Sequence, residues 1–464
     1  MLDPADWSEL RALGHRMMDD MIDHLAGLRE GKVWQPMPAG VRAGFTGAPP
    51  EAGMDAGVLY ERFRMDIQPY VTGNTHPRFM GWVHGGGNPV SMLAELLAGA
   101  MNANCGGRDH VGIAVERQVI AWAADMLGMP AGTSGVLLTG SSMANFIAVL
   151  CARYRALGPA ARAAGVGGAQ LVAYAAAGVH RCVPGAMDMA GLGSEALRRI
   201  PVDAEYRMDI AALRAAIAVD IAAGKTPFML VGTAGSVDVG AFDDLTTLGE
   251  IARAHDMWFH VDGAFGALAC LSPTLSPLLT GIADADSVAF DFHKWAQVTY
   301  DAGCVLVRDP ALHEAVFAQA TNYLAAAPRG LAGGQPWPCD LGPDLSRGFR
   351  ALKVWMTISA YGTTRLGEIV DHTCALAQHL AARVEASDAL ELLAPVRLNI
   401  VCFGIKNFDA SRTAELVADL QIDGPFAPST TIINGRMAIR AAIVNHRTEL
   451  RDIDALADEI IRRV

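Results

Sequence analysis

Between His76 and about Asp309 the chain alternates short apolar runs with stretches of helical spacing, and this alternation restricts the fold more than any other feature. Gly135-Val136-Leu137-Leu138-Thr139, Gln170-Leu171-Val172-Ala173-Tyr174, Pro227-Phe228-Met229-Leu230-Val231-Gly232 and Cys304-Val305-Leu306-Val307 are strand-length. Short apolar strands separated by helices predict an α/β fold, a mainly parallel central sheet flanked by helices on both faces. Ligands of such sheets sit at the carboxyl ends of the strands. Ser141 and Asp262 both fall just after strand-like runs, which suits that rule.

The flanking segments divide the chain into three. Residues 1–75 read as an N-terminal helical arm: Leu10, Leu13, Met17, Met21, Ile22 and Leu25 have helical spacing, and a Pro/Gly-rich connector follows from Gln35 to Gly53. So little chain forms no core of its own, and the arm packs on something else. Residues 76–345 make a large ligand-binding domain and residues 346–464 a small C-terminal α+β domain. The stretch from about Ala325 to Gly342 is a candidate mobile loop. A helix is predicted from Leu345 through Trp355 to Tyr361, stopped by Gly362.

Bulk properties exclude several functions. A net charge of -12 argues against nucleic acid, since binding phosphate backbones needs a basic face. Cys105, Cys151, Cys182, Cys270, Cys304, Cys339, Cys374 and Cys402 are scattered without CxxC pairs, as free thiols in a reducing cytoplasm are. The acidic start has no basic n-region or apolar h-region, so no signal peptide is expected. No apolar run approaches the ~18 residues of a membrane span. The histidines lack metal-ligand spacing, and no Walker or dinucleotide glycine pattern occurs.

The chemistry concentrates in two segments. Asp286-Ser287-Val288-Ala289-Phe290-Asp291-Phe292-His293-Lys294-Trp295 ends a strand-like run on a lysine, in a chain whose other lysines are Lys32, Lys225, Lys353 and Lys406. A charged lysine in apolar, aromatic surroundings is costly. Burial favours the free amine, which a Schiff-base lysine needs. Upstream, Met257-Trp258-Phe259-His260-Val261-Asp262-Gly263-Ala264 reads as a buried strand ending on a carboxylate. A carboxylate there can keep a pyridinium nitrogen protonated, making pyridoxal phosphate (PLP) an electron sink. The separation, 294 − 262 = 32 residues, allows a crossover helix and the next strand. Taken alone, Lys294 also reads as a snorkelling lysine and Asp262 as a helix N-cap; their conjunction favours the cofactor site.

Together these segments resemble the group II PLP-dependent amino-acid decarboxylases, the family of aromatic-L-amino-acid decarboxylase, which carries an H-V-D-A-A-Y-like strand and an N-P-H-K-W-like lysine segment. The resemblance implies the PLP-dependent transferase fold type I and a homodimer whose arm lies on the partner subunit. It also implies an amino-acid substrate and site residues. Thr139-Gly140-Ser141-Ser142-Met143-Ala144-Asn145 is similar to the family's S-G-G-S-E-A-N, so Ser141 and Ser142 cradle the phosphate; a plain serine N-cap is the alternative. Gly140 permits a tight turn. His180 falls where the family stacks an imidazole on the cofactor, and small Ala264 lets the ring lie close on the other face. Gly235-Ser236-Val237-Asp238-Val239-Gly240-Ala241-Phe242-Asp243 partly matches G-T-T-x-x-G-A-x-D, placing Ser236 at the cofactor; Asp243 alternatively caps the next helix. His293 completes the cofactor set, and Lys294, His180 and Asp262 are the catalytic residues. His76-Pro77-Arg78-Phe79-Met80-Gly81 looks like the pocket entry, Arg347 to Trp355 like the helix linking the lobes, and Asn445-His446-Arg447-Thr448 like the C-terminal signature.

Three departures matter. Asp291 and Phe292 replace Asn and Pro; an aspartate beside a phosphate is repelled, which gives Asp291 a capping role instead. His84 and Gly85 stand where aromatic-specific members have Pro and Thr. The loop around Leu331-Ala332-Gly333-Gly334-Gln335-Pro336-Trp337 has no tyrosine, a residue many members use there as a proton donor; Tyr323 precedes it. The expected reaction is decarboxylation of an L-amino acid, aromatic if Phe79, Trp82 and Trp337 line the pocket. The alternatives are an oxygen-dependent decarboxylation-deamination to an aldehyde and a catalytically silent structural homologue.

Overall fold

The computed structural model describes residues 2–318 and 327–464. After a two-residue strand, β1 (Phe79–Met80), come β2 (Ser134–Leu138), β3 (Leu171–Ala176), β4 (Leu197–Ile200), β5 (Thr226–Thr233), β6 (Trp258–Asp262), β7 (Ser287–Asp291) and β8 (Gly303–Val307). Strands β2 to β8 form one sheet in the order β2-β8-β7-β6-β5-β3-β4. From β7 to β4 all neighbours pair parallel. β8 runs against both β7 and β2. Connection length explains the reversal: residues 292–302 are fewer than the roughly dozen or more that a parallel crossover needs. Lys294 lies in that short connection.

Every position of β3, β6, β7 and β8 is buried, as a sheet covered on both faces requires. Leu137, Val172, Leu230, Val261, Val288 and Leu306 pack on one face, with Val119 of the helix Val111–Met126 and Leu248 of the helix Leu245–Ala254. Val136, Ala173, Val231, Ala289 and Val305 pack on the other, with Ala144, Ile147 and Ala148 of the helix Ser141–Leu157.

The smaller sheet contains β9 (Leu390–Leu392), β10 (Ile400–Ile405), β11 (Ala427–Ile433) and β12 (Arg436–Ala442), in the order β1-β11-β12-β10-β9. Its antiparallel strands pack on a separate core that includes Leu380, Phe403, Ile439 and Leu456. β1 pairs parallel with β11, so Phe79 and Met80, inside the expected 76–345 domain, sit in the C-terminal sheet.

The helix expected from Leu345 to Tyr361 starts at Arg350. Gly362 stops it as expected: at φ 72°, ψ 158° it is non-helical and separates two helices, 350–361 and 363–385. Glycine takes that positive φ at little cost. A second helix then runs to Glu385, with Leu366, Val370, Leu376 and Leu380 keeping a buried stripe at helical spacing.

The N-terminal helix Trp7–Ala26 has no buried residue, and Trp7, Leu10 and Ile22 are 57%, 43% and 48% exposed.

Arg347 and Glu116 form a buried ion pair where the lobes meet. Arg347 Nη1 donates to Glu116 Oε2 at 2.9 Å, and Nη2 donates to Glu116 Oε1 at 2.5 Å and to the Leu137 carbonyl at 2.6 Å. Glu116 in turn accepts from the Leu137 amide. Arg347→Met should cost about 3–5 kcal/mol of unfolding free energy, because Glu116 keeps its charge without its partner. Urea unfolding of the two proteins checks this.

Candidate functional site

Lys294 follows β7 at the carboxyl edge of the main sheet. His293 and Trp295 on either side are 5% and 0% exposed, whereas the lysine side chain reaches partial exposure. Its amine is not the isolated charge that its apolar neighbours suggest: Nζ lies 2.9 Å from Asp291 Oδ2. Asp291 also accepts from the Ser141 amide at 2.6 Å and from the Ser141 hydroxyl at 2.7 Å. Asp291 therefore caps the helix Ser141–Leu157, and no side chain of its own N-cap residue, Gly140, does so. Gly140 is extended (φ 174°), so a left-handed turn is not what selects it. Close packing selects its neighbour instead: a Cβ on Gly303 of β8 would lie 2.4 Å from the Gly140 Cα, whereas one on Gly140 would meet nothing nearer than 3.7 Å.

Asp262 ends β6 and is 4% exposed. Its Oδ1 accepts from the Ala264 amide at 3.2 Å, and its Oδ2 lies 4.0 Å from the Cys182 thiol. Burial pushes its carboxyl above the ordinary carboxylate range, and the charges of Lys294 and His180 pull it back. His180 sits in the turn after β3, exposed at its edge. Its imidazole is nonetheless lowered by desolvation, with the Asp262 charge opposing and that of Lys294 reinforcing the shift. Lys294, Asp262 and His180 thus feel one another's charge. Ala264 ties this floor to the lysine segment, since its carbonyl accepts from the Asp291 amide at 3.0 Å.

His293 turns back into the β7–β8 connection. Its Nδ1 accepts from the Ala302 amide at 2.9 Å, its ring lies 4.2 Å from that of Tyr300, and burial lowers it to about 4. Ser236 closes its own turn, where its hydroxyl accepts from the Ala241 amide at 3.0 Å. It lines a cavity of about 220 Å³ with Thr233, Asp238, Asp243 and Asn434, and no hydrogen bond joins it to Lys294 or Asp262.

Asp243 does not cap the following helix; Asp244 does, accepting from the Thr247 amide. Asp243 instead accepts from the amides of Met208 (2.7 Å) and Thr233 (2.8 Å), which ties the end of β5 to the segment around Met208. Burial pushes it up from 3.8 to about 6. A carboxyl raised on folding binds its proton more tightly in the native state. Its stabilising contribution is therefore full below about pH 4 and is lost as pH rises through about 6. Asp243→Asn should remove this component, on the order of 3 kcal/mol across that window. Chemical unfolding of both proteins at pH 4 and pH 7 tests it.

The mouth of the site is built from opposite ends of the chain. Asn445 Nδ2 donates to the carbonyls of Asn74, Thr75 and His76 at 3.0, 3.0 and 3.2 Å. Arg447 donates to the Gly86 carbonyl, Gln297 accepts from the Gly86 amide, and Asn74 donates to the Gly85 carbonyl. Gly85 lies so close to the lysine segment that a Cβ would meet the His293 and Lys294 carbonyls at 2.2 and 2.4 Å. Over this mouth His84 stacks on Phe79 and on Trp82, each at 5.8 Å, and meets the edge of Tyr300 at 6.1 Å. Desolvation and the Lys294 charge both lower His84, which leaves it a neutral ring. Trp337 is not part of this cluster. It packs under Gly107 and Arg108 and gives its indole N–H to the Gly333 carbonyl, because a buried indole needs an acceptor. Tyr323 lies outside the described residues.

Beneath the site runs a buried chain of hydrogen bonds that sequence reading missed. Trp258 Nε1 donates to the Ser287 hydroxyl at 2.8 Å, and that hydroxyl meets His260 Nδ1 at 2.8 Å. His260 Nε2 meets Asn145 Oδ1 at 2.8 Å, and Asn145 Nδ2 donates to the Ser141 carbonyl at 2.8 Å and to the Cys182 sulfur at 3.5 Å. A carbonyl only takes, so Asn145 turns its Oδ1 to His260 and Nε2 carries the hydrogen; with the ring kept neutral by burial, Nδ1 accepts from the Ser287 hydroxyl. Trp258, His260 and Asn145 each look like core or helix residues in sequence; only their pairing across strands reveals the chain.

Fold and site together define a PLP-dependent carboxy-lyase. Residues 38–406 match the pyridoxal-dependent decarboxylase conserved domain. The chain belongs to the pyridoxal-dependent decarboxylase family. An aromatic-L-amino-acid decarboxylase of Bacillus atrophaeus is 31% identical, over 97% of this chain and 96% of that protein. A 4-hydroxyphenylacetaldehyde synthase of Rhodiola rosea is 29% identical, over 98% and 94%. The crystal structure of Oryza sativa TDC with PLP and tryptamine matches with a TM-score of 0.91 at 25% identity, covering 100% of this chain and 99% of that one.

The residues fit the cofactor. Lys294 offers an amine and Asp262 a buried carboxylate, at the strand ends where such sheets bind ligands. Ser142, in the first turn of its helix, is exposed, and its amide and hydroxyl take no protein partner among the described residues.

Proposed function

We propose that this chain decarboxylates an aromatic L-amino acid to the amine and carbon dioxide, with Lys294, Asp262 and His180 as its catalytic residues. The observation that carries this reading is the electrostatic coupling of a buried carboxylate, a lysine amine and an imidazole at one sheet edge. PLP, when bound, supplies an electron sink for the pair left behind as the carboxylate departs.

In this reading Lys294 would hold the cofactor through its amine. Asp262 holds the ring nitrogen protonated, and small Ala264 leaves room for the ring on the strand side. His180, lowered by burial and so neutral near pH 7, covers the other face and orients the substrate carboxylate. Ser142, with its donors open, and Ser141, whose donors Asp291 now takes, would hold the phosphate at a helix N-terminus. His293 and Ser236 flank the cofactor; the Ser236 hydroxyl accepts from Ala241 and still has its own proton to give. The stacked Phe79, Trp82 and His84 support an aromatic side chain at the mouth.

A second reading is oxygen-dependent decarboxylation-deamination. There an amino acid, oxygen and water give an aldehyde, ammonia, carbon dioxide and hydrogen peroxide. The tyrosine-free loop at Leu331–Trp337 and the likeness to an aldehyde synthase favour it. Purified protein with PLP and a panel of L-amino acids, with and without oxygen, decides between the two. Amine formed equally in both conditions supports the first; aldehyde and peroxide formed only with oxygen replace it with the second.

The working form in this reading is a homodimer in a reducing cytoplasm. Residues 1–75 form an arm on the partner, 76–345 the large domain and 346–464 the small one. The exposed apolar stripe of Trp7, Leu10 and Ile22 and the free cysteines support this. Sedimentation of the purified chain should give twice its monomer mass.

A further inference from the structure

Asp291 places a negative charge where the proposed function brings another. It is 1% exposed at the end of β7. Its Oδ1 takes the Ser141 amide (2.6 Å), and its Oδ2 takes the Ser141 hydroxyl (2.7 Å) and lies 2.9 Å from Lys294 Nζ. His293 Nε2 stands 3.7 Å from the same oxygen but is neutral, lowered to about 4 by its burial. The first-turn N–H groups and positive end of a 17-residue helix attract an anion. Asp291 is an anion fixed to the chain itself. A phosphate reaching this turn finds the donors of Ser141 engaged, those of Ser142 open, and a buried carboxylate alongside.

We propose that Asp291 competes with the cofactor's phosphate for the N-terminus of the helix Ser141–Leu157 and thereby sets how tightly this chain holds its cofactor. The inference rests on the reading of that N-terminus as the phosphate cradle. Two like charges sharing one donor set each weaken the hold on the other. Asparagine at 291 keeps the shape, and its carbonyl oxygen still accepts from Ser141, but it carries no charge. The same change also frees Lys294 from its counter-ion, so the test needs a ligand that meets the lysine without bringing a phosphate. Pyridoxal is that ligand: it has the same ring and aldehyde.

The 464-residue chain, stripped of cofactor, is titrated with PLP and separately with pyridoxal, followed by quenching of tryptophan fluorescence. Asp291→Asn should bind PLP about tenfold tighter, a difference of about 1.4 kcal/mol, and gain clearly less for pyridoxal. Asp291→Ser, neutral and shorter, should move the same way and serves if the asparagine variant does not fold. Equal gains for both ligands, or no gain for PLP, overturn the proposal and leave Asp291 as a helix cap and lysine partner. Ser142→Ala tests the cradle separately. Weaker PLP binding with unchanged pyridoxal binding upholds it; unchanged PLP binding puts the phosphate elsewhere, and the competition falls with it.

Discussion

Lys294→Ala should lower turnover by about a thousandfold or more, the scale lost with a group that acts in the reaction itself, and should abolish covalent retention of the cofactor. Borohydride reduction followed by mass spectrometry checks the second point directly: the native chain should carry the reduced adduct on Lys294 and the variant should carry none. The change has a structural cost as well. Asp291 loses a partner 2.9 Å away but keeps the Ser141 amide and hydroxyl. The carboxylate is therefore not stranded, and the loss of unfolding free energy should be about 1–3 kcal/mol. Normal turnover in this variant would end the assignment of the site.

Asp262→Ala should be nearly as damaging to activity, again by about a thousandfold or more, and should weaken cofactor binding. Its effect on folding should have the opposite sign to that of an ordinary core truncation. Asp262 is buried, and among protein groups its hydrogen-bonding partners are the Ala264 amide and the distant Cys182 thiol. Burial raises its carboxyl, which marks the charged form as costly in the fold. The shape-preserving Asp262→Asn should therefore fold with equal or greater stability while losing activity. A thermal melt of the chain without added cofactor, set beside the rate, separates the two effects. Retained activity would show that the electron-sink assignment is misplaced.

Much of the site was legible in sequence where its residues lie on one strand or just after it. Lys294 and Asp262 announce themselves because each ends an apolar run, and strand ends in a parallel sheet point to a common edge. Ser141 and His180 follow strands in the same way. What the sequence hid is what depends on partners far along the chain. The mouth needs Asn445 to meet Asn74, Thr75 and His76, and no local pattern encodes that meeting. β1 looks like part of the large domain and pairs with β11, because two residues have no period to read. Gly362 reads as a helix stop and is one, and only the buried stripe beyond it shows that a second helix follows at once. Asp243 was read from its neighbour's role: with two aspartates in succession, Asp244 takes the cap and Asp243 turns inward. Lys294 reads in sequence as an amine kept uncharged by apolar neighbours, and the Asp291 carboxylate 2.9 Å from its nitrogen is not legible there.

The chain of bonds from Trp258 to Ser141 has a consequence for proton traffic. Its ends cannot trade roles: the indole nitrogen cannot accept and the carbonyl cannot give. To pass a proton along such a line, every member must reverse, and the first and last members cannot. His260, the one ring along it able to carry charge, is held down to about 3 by burial and stays neutral in ordinary buffers. The floor of the site is thus closed to hydrogen ions along this line. Protons of the proposed reaction therefore need another route than this line.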